Sequence, residues 1–291
     1  MILTGIITAL VTPFDAEEAV DFDSFGRLLE DQLAKGISGF VPLGSTGEYY
    51  AMDAEERSEV LKFVSDVVGS RATLIAGANA GSTRDVIRNV QTAQSLGYTT
   101  VLLAPPYYSL PSQPELIAHY QAVLDNSDVE LILYNYPARV GVEVGFEVLD
   151  AFRSNPRVIA VKESSGSLAR AIDIKARYGD DYQLSCGSDD VALDFMLWGA
   201  RSWICGPANC FPVQAVQMMQ AFDAGNIDRA RATMKKLYPA MSSLESGKFV
   251  QKVKFGCELN GTPCGQTRMP LMPLNQTEKA EFEAAYAAAA I

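Results

Sequence analysis

Residues 158–162, Val-Ile-Ala-Val-Lys, form a short apolar run that ends in a lysine. Pro156 lies before the run, and a group of polar and small residues, Glu163-Ser164-Ser165-Gly166, follows it. An apolar run of this length between turn-forming residues is typical of a strand that is buried on both faces, as the strands of a parallel sheet are. The sequence therefore predicts a parallel sheet in which Lys162 stands at the end of one strand.

Short apolar runs alternate with longer amphipathic stretches over the first three quarters of the chain. Strict alternation predicts an α/β fold, and eight strand–helix units predict closure into a (β/α)8 TIM barrel with its helices outside. An open doubly wound sheet would require a glycine-rich phosphate loop after the first strand, which Thr12-Pro13-Phe14-Asp15 does not provide. The predicted strands are residues 5–10, 39–43, 73–76, 100–104, 130–134, 158–162, 183–186 and 202–205. The predicted helices are residues 22–35, 54–68, 82–96, 113–124, 146–151, 168–176, 190–198 and 212–222.

The chain changes character after residue 224, where the alternation of strands and helices stops. The remainder predicts helices at 228–237, 249–259 and 276–290, which are joined by turns that contain glycine and proline. We therefore expect a catalytic (β/α)8 barrel at residues 1–224 and a helical C-terminal appendage at residues 225–291.

The charge balance and the hydropathy exclude two classes of partner. The chain has 24 basic and 35 acidic residues, a formal net charge of −11, and no basic cluster, so we expect no nucleic-acid binding. No run approaches the roughly 20 apolar residues that a membrane span requires, so we expect no membrane partner. Residues 1–5, Met-Ile-Leu-Thr-Gly, lack the features of a signal peptide, which favours a cytoplasmic location.

The cysteines and the histidine limit the possible chemistry further. None of the five cysteines is spaced as a metal ligand, so we expect reduced thiols and no metal site. His119 is the single histidine and lies in a stretch with helical character. We expect it to be a half-exposed helix residue, because a catalytic triad or a multi-histidine metal site would have to be built around this one side chain.

Catalytic residues of such barrels lie at the carboxyl ends of the strands. Lys162 ends one predicted strand, and Tyr134 ends the strand before it. A partly buried lysine loses proton affinity, and its free amine then attacks carbonyl groups. The Tyr134 phenol is suited to pass protons to and from the resulting intermediates. The pair predicts imine chemistry at the mouth of the barrel.

Other strand ends supply groups that bind carboxylates. The glycines of residues 44–47 permit a tight turn, so that the amides and hydroxyls of Ser45 and Thr46 face an anion. Arg139, in the loop after the fifth predicted strand, offers a planar fork for a second carboxylate. Gly187 follows the seventh predicted strand. These residues predict a pocket for a 2-oxo acid and for an acceptor that also carries a carboxylate.

Four motifs resemble those of the dihydrodipicolinate synthase / N-acetylneuraminate lyase family, and the resemblance covers essentially the whole chain. The resemblance implies a (β/α)8 barrel with a helical extension, class I aldolase chemistry that needs no metal or organic cofactor, and a homotetramer built as a dimer of dimers. Lys162 matches the lysine that forms the imine with pyruvate or another 2-oxo acid, and Tyr134 matches the proton-relay tyrosine. The motifs are Gly44-Ser45-Thr46-Gly47-Glu48, Tyr134-Asn135-Tyr136-Pro137, Val161-Lys162-Glu163 and Gly187-Ser188-Asp189-Asp190.

The same resemblance implies roles for further residues. Ser45 and Thr46 match the pair that binds the carboxylate of the 2-oxo acid, and Ile204 matches a residue whose backbone lines the pocket. Tyr108 matches a tyrosine that the synthases insert into the site of a neighbouring subunit. Arg139 resembles the synthase arginine that holds the carboxylate of aspartate semialdehyde.

The resemblance defines the first step better than it defines the second substrate. Arg139 and residues 106–113, Pro-Tyr-Tyr-Ser-Leu-Pro-Ser-Gln, are similar to the synthases and favour condensation of pyruvate with aspartate semialdehyde. Ser45 is closer to the lyase form, which leaves open an aldolase, dehydratase or deaminase of a hydroxylated 2-oxo acid, such as a sugar-acid or sialic-acid lyase. The alternative outside enzymes is a barrel that only binds a small carboxylate. Such a protein would be expected to lose Lys162 or Tyr134, and both are present.

Overall fold

A computed structural model describes residues 1–289 of the chain and places nine strands in this range. Each strand lies at one of the predicted apolar runs, and the third run is divided into two short strands. The strands are β1 (Gly5–Ala9), β2 (Gly39–Val41), β3 (Thr73–Leu74), β4 (Ala76–Gly77), β5 (Thr100–Leu103), β6 (Glu130–Asn135), β7 (Val158–Glu163), β8 (Gln183–Cys186) and β9 (Ser202–Cys205).

The strands form one parallel sheet in the order β3-β2-β1-β9-β8-β7-β6-β5-β4. β3 pairs with β2 and β4 pairs with β5, while Ile75 separates the two halves of this divided strand. The divided strand therefore brings the two ends of the sheet together, and the sheet nearly closes. The predicted (β/α)8 TIM barrel is confirmed.

Helices surround the sheet and continue beyond it. In the described part of the chain they are α1 (Phe22–Ala34), α2 (Ala54–Val68), α3 (Thr83–Ser95), α4 (Gln113–Asp125), α5 (Pro137–Val140), α6 (Phe146–Phe152), α7 (Leu168–Tyr178), α8 (Ala192–Leu197), α9 (Pro212–Asp223), α10 (Ile227–Glu245), α11 (Phe249–Leu259) and α12 (Gln276–Ala288). None of these helices is both long enough and apolar enough to cross a membrane. The short helix α5 lies within a segment that was predicted as a loop. Residue 290, the last of the predicted helix 276–290, lies outside the described residues.

Two layers of apolar side chains hold the barrel together. The inner layer fills the barrel and includes Ile7, Ile132, Ala160 and Ile204, and the outer layer lies between the sheet and the helices. Because side chains alternate across a strand, Lys162, two residues after Ala160 on β7, is directed into the barrel. The same strand therefore supplies core packing lower in the barrel and a functional amine at its mouth.

The predicted end of one C-terminal helix is wrong. The sequence pattern predicted that this helix ends at residue 237. Pro239 follows two residues later and cannot donate a backbone hydrogen bond inside a helix. The structure instead continues α10 through Pro239 to Glu245. The buried face of this helix, which includes Met234, Ala240 and Leu244, compensates for the lost hydrogen bond. The eight additional residues carry Glu245 toward the barrel mouth.

The predicted exposure of His119 is also wrong. The residue lies on α4, as expected, but it is buried, and its Nδ1 is 2.9 Å from the Thr83 hydroxyl of α3. Its ring packs against Tyr120 with 5.1 Å between the ring centroids. Burial lowers the pKa of His119 to about 4. The buried face of α4 is wider than the sequence pattern indicated and includes His119. His119 therefore packs inside the protein as a neutral side chain.

Candidate active site

Lys162 and Tyr134 lie side by side at the carboxyl ends of β7 and β6. The two residues are register partners in the parallel pair, with Asn135 and Glu163 paired one position later. The Lys162 Nζ lies 4.3 Å from the centroid of the Tyr134 ring. The strand register therefore brings an amine and a phenol together without any contribution from a flexible loop.

The environment of Lys162 favours its free-amine form. The residue is 5% exposed, and burial lowers its pKa, while the nearby Asp189 carboxyl acts in the opposite direction. Two thiols close to the amine are less suited to act as nucleophiles, because burial raises the pKa of Cys186 and of Cys205. Lys162 is therefore the strongest nucleophile that the interior of the barrel offers.

Tyr134 remains protonated near neutral pH. Burial raises its pKa to about 12, while the Arg139 guanidinium and the hydroxyls of Ser164 and Ser45 act in the opposite direction. A phenol in this state donates a proton to a developing oxyanion or hydroxide and takes it back from a stronger acid. The Arg139 guanidinium keeps this exchange accessible, because its positive charge stabilises the phenolate.

Seven of the eight residues selected from the sequence line one cavity at the barrel mouth. They come from five different strand ends or from the loops that follow them, and they are Ser45, Thr46, Tyr134, Arg139, Lys162, Gly187 and Ile204. Five further residues complete the lining: Tyr136, Asp189, Gly206, Glu245 and Phe249. The cavity is therefore polar and carries charges of both signs, with the Lys162 amine among its lining groups.

Tyr108 is the one selected residue that does not line this cavity. Its side chain is 96% exposed, and its backbone has a φ of +72°. A left-handed backbone is unusual at a tyrosine, and this large aromatic side chain is almost fully exposed to solvent. The structure of the single chain therefore does not bring Tyr108 to Lys162.

A 3₁₀ turn at Ser45–Gly47 presents Ser45 and Thr46 to the cavity. A Cβ atom on Gly47 would lie 2.9 Å from the Leu10 carbonyl oxygen, so this position requires a glycine. The Thr12 hydroxyl donates a hydrogen bond to the Gly47 carbonyl at 2.8 Å. Close contact with the loop after β1 thus fixes the turn, as a preorganised anion site requires.

Glu48 connects this turn to the C-terminal helices. The residue is fully buried and has a left-handed backbone with a φ of +56°. Its Oε1 lies 2.8 Å from the Lys254 Nζ of α11, and its Oε2 accepts a hydrogen bond from the Arg268 amide at 3.0 Å. The C-terminal appendage therefore anchors the residue that directly follows the candidate carboxylate-binding turn.

Gly187 has no side chain, and the Lys162 side chain occupies the space beside it. A Cβ atom at this position would lie 1.9 Å from the Ser164 Oγ and 2.7 Å from the Lys162 Cε. Neither neighbour can move away easily, because both are buried. Gly187 therefore contributes to the site through the absence of a side chain, and an alanine here would displace the Lys162 side chain.

Two buried carboxylates flank the lysine, and they have different roles. Glu163 accepts hydrogen bonds from Asn135, Ser165 and Arg170 at 2.7–3.1 Å. These bonds occupy both of its carboxylate oxygens and stabilise the strand ends. Among the residues that the structure describes, the Asp189 side chain accepts a hydrogen bond only from the Trp203 indole N–H, at 2.9 Å. Burial, followed by the nearby Glu245 carboxylate, raises the pKa of Asp189 well above its usual range.

The appended helices contribute residues to the cavity that were not predicted from the sequence. Glu245 ends α10 and Phe249 begins α11, and both line the cavity from above the barrel. The segment 228–237 was predicted to end before Glu245, so no sequence signal connected this residue with the strand ends. Arg139 lies against the same structure, with its Cζ 5.4 Å from the Tyr136 ring centroid and 5.8 Å from that of Phe249.

Within residues 1–289, no group of three or more histidine, cysteine, aspartate or glutamate side chains is arranged to hold a metal ion. The five cysteines are free and buried. The chemistry that the cavity itself offers comes from an amine, two phenols, hydroxyls, a guanidinium and two carboxylates.

Comparison with known proteins places this arrangement in a family. The model of the dihydrodipicolinate synthetase family matches residues 2–289. The chain belongs to this family. A 4-hydroxy-tetrahydrodipicolinate synthase of an Exiguobacterium species is 32% identical to it over 279 residues, which cover 96% of this chain and 95% of that protein.

Solved structures of family members have the same architecture. The chloride-inhibited dihydrodipicolinate synthase of Acinetobacter baumannii, in complex with pyruvate, is 29% identical with a TM-score of 0.95, and the match covers 99% of both chains. A monomeric dihydrodipicolinate synthase variant is 27% identical with a TM-score of 0.93, over 99% of this chain and 97% of the variant. As a member of the dihydrodipicolinate synthetase family, the protein is an enzyme of the class I aldolase type, a lyase or synthase.

Proposed function

We propose that the protein is a Schiff-base-forming synthase that condenses pyruvate with aspartate semialdehyde, the 4-hydroxy-tetrahydrodipicolinate synthase reaction. The observation that supports this most strongly is the buried Lys162 amine against the Tyr134 ring, at the bottom of a cavity that Arg139 also lines. Relatives at about one-third identity carry this synthase name over nearly their whole length.

In the proposed first step, the free amine of Lys162 adds to the ketone carbon of pyruvate. Ser45 and Thr46 hold the pyruvate carboxylate through the amides and hydroxyls of their turn. Tyr134 delivers a proton to the hydroxyl of the carbinolamine, which leaves as water, and the imine nitrogen then carries a positive charge. The cationic imine makes the adjacent methyl group acidic, and loss of one of its protons gives an enamine.

In the second step, the enamine carbon forms a bond with the aldehyde carbon of the acceptor. The aldehyde oxygen takes up a proton and becomes the hydroxyl group of the product. The α-amine of the acceptor then replaces the lysine nitrogen at the imine carbon with loss of a proton. Ring closure thus releases the product and returns Lys162 as a free amine. Arg139 binds the carboxylate of the acceptor throughout these steps.

We further propose that the enzyme is a cytoplasmic homotetramer, a dimer of dimers, without a metal or organic cofactor. The exposed, left-handed Tyr108 supports the proposal, because such a side chain is suited to complete the proton relay of a neighbouring subunit. The free, buried cysteines agree with a reducing compartment. The proposal retains the catalytic barrel at residues 1–224 and the helical appendage at residues 225–291. Sedimentation velocity of the purified protein tests the assembly, and a purely monomeric species would contradict it.

The proposed imine is tested by intact-mass spectrometry after borohydride reduction, with and without pyruvate. We expect a pyruvate-dependent adduct that maps to Lys162, and no adduct when Lys162 is replaced by alanine. Lys175, a lysine of α7 that lies outside the cavity, serves as the control when it is replaced by alanine. An adduct with a longer 2-oxo acid but none with pyruvate would instead indicate a sugar-acid lyase, dehydratase or deaminase.

Tyr134→Phe is expected to slow imine formation and turnover by a factor of about 10² to 10³, because it removes one positioned proton donor. The fold should be unchanged, because the phenyl ring retains its packing in the barrel interior. Stopped-flow measurement of imine formation, together with the steady-state rate, checks this prediction. Unchanged rates would remove the role assigned to the phenol.

A further inference from the structure

The rim of the cavity carries two opposite charges that do not neutralise each other. Arg139 and Glu245 both line the cavity, and both are exposed at its mouth. Across residues 1–289, neither residue takes part in an ion pair, with the other or with a third group. An unneutralised pair of this kind at a cavity mouth is complementary to a ligand that carries both charges.

The position of Glu245 is defined by its surroundings. The residue ends α10, and its Oε1 accepts a hydrogen bond from the Asp189 amide at 3.4 Å. The carboxylate is therefore tied to the loop after β8, next to the lysine, and not to the outer surface of the appendage. The partly enclosed position of Glu245 at the rim raises the pKa of its carboxyl group, while the hydrogen bond from the Asp189 amide and the Arg139 guanidinium act in the opposite direction.

We infer that Glu245 binds the α-ammonium group of the acceptor while Arg139 binds its α-carboxylate, so that the site selects an amino-acid aldehyde. The inference rests on the proposed function, which supplies the enamine on Lys162. An aldehyde with a carboxylate but no ammonium group satisfies only Arg139. An aldehyde with a second carboxylate in place of the ammonium group is repelled by Glu245. Glu245 is thus a specificity-determining residue for the second substrate and has no role in forming the imine.

The test compares two aldehydes that differ only at this group. Aspartate semialdehyde carries an α-ammonium group, and succinate semialdehyde has the same chain length without it. We expect Glu245→Gln to lower kcat/KM for aspartate semialdehyde about 10- to 100-fold, mainly through KM, because one charge-assisted hydrogen bond is lost. For succinate semialdehyde we expect a change of less than about threefold, because that interaction is absent from the wild-type complex.

Two control variants make this result specific. Glu283→Gln removes the same charge from an exposed position on α12 and is expected to leave both aldehydes unaffected. Arg139→Ala is expected to lower the use of both aldehydes, because both carry the carboxylate. It should affect pyruvate binding much less, and an equal effect on pyruvate would make this arginine structural.

The outcomes separate this inference from the proposed function. Equal losses for the two aldehydes, or no loss for either, would overturn the role of Glu245. A wild-type enzyme that forms the Lys162 adduct with pyruvate but condenses it with neither aldehyde would also overturn it, and would leave the imine chemistry intact. Absence of the pyruvate adduct in the wild type would overturn the proposed function itself.

Discussion

Lys162→Ala is expected to lower kcat/KM for the condensation by a factor on the order of 10⁴ or more. The Lys162 amine is the lining group of the cavity that condenses with a ketone to an imine, and the remaining residues can still bind and orient the substrates. The measurement is the steady-state rate of pyruvate consumption in the presence of aspartate semialdehyde. Lys175→Ala, at a lysine outside the cavity, should retain the wild-type rate.

A loss of the fold does not explain this expected result. Burial lowers the pKa of Lys162, so the unfolded chain binds more protons at this residue than the folded chain does. The charged lysine therefore costs most stability below the lowered folded pKa, and this cost diminishes as the pH rises from the folded pKa to the unfolded pKa. Lys162→Met, which keeps the volume but not the amine, should fold at least as stably as the wild type near pH 7. A variant with lost activity and a lower thermal midpoint would indicate a structural role instead.

The same burial predicts the acid limb of the activity profile. Attack on the ketone requires the free amine, so imine formation should slow as the pH falls through the lowered pKa of Lys162. The limb should lie below the usual range of a lysine, in agreement with the direction of that shift. Measurement of the imine-formation rate against pH, with pyruvate saturating, checks this expectation. A limb at the pKa of an ordinary lysine would contradict the buried environment.

The sequence defined the barrel and the strand-end residues because both depend on local patterns. An apolar run followed by a polar residue identifies a strand end, and the parallel arrangement places all strand ends at one mouth. Lys162, Tyr134 and Arg139 lie at or after such strand ends, and they line one cavity. The third predicted strand also lies at its apolar run, although Ile75 divides it into β3 and β4. The run identifies where the strand lies but not that it is interrupted.

The contributions from the appendage could not be predicted in this way. The predicted helix ended at residue 237, but tertiary packing continues α10 through Pro239 to Glu245, because the burial of an apolar face outweighs local helix propensity. The Glu48–Lys254 pair joins residues that are more than 200 positions apart, and no periodicity connects them. His119 was misjudged for a related reason, because its burial depends on the neighbouring helix α3 and not on α4 alone.

The link between the appendage and the active site has a large expected effect on stability. Lys254→Met should lower the free energy of unfolding by about 3–5 kcal/mol, because it leaves the Glu48 carboxylate buried without its cation. Both side chains of this pair are almost completely buried, at 2% and 0% exposure. The Arg268 amide would then be the only described partner of the carboxylate. Chemical denaturation at pH 7 measures the change as a shift of the midpoint at constant slope.

A pair on the surface provides the matched control. Lys62 and Asp66 are 2.5 Å apart on α2, but they are 65% and 62% exposed, so Lys62→Met should change the free energy of unfolding by less than about 0.5 kcal/mol. The double variant Glu48→Gln with Lys254→Met should recover part of the loss, because it removes the unpaired charge together with its cation. Equal losses in the single and double variants would show that the cost comes from packing and not from the unpaired carboxylate.

The same substitution should also affect pyruvate. Glu48 directly follows the turn that presents Ser45 and Thr46, and its left-handed backbone is an unfavourable conformation that the anchored carboxylate helps to stabilise. In conditions where Lys254→Met remains folded, we therefore expect a higher KM for pyruvate, with a smaller change in kcat. A merely destabilised barrel would lower the concentration of active enzyme and leave the KM of the remaining molecules unchanged. The KM therefore decides whether the appendage positions the candidate carboxylate site or only stabilises the barrel.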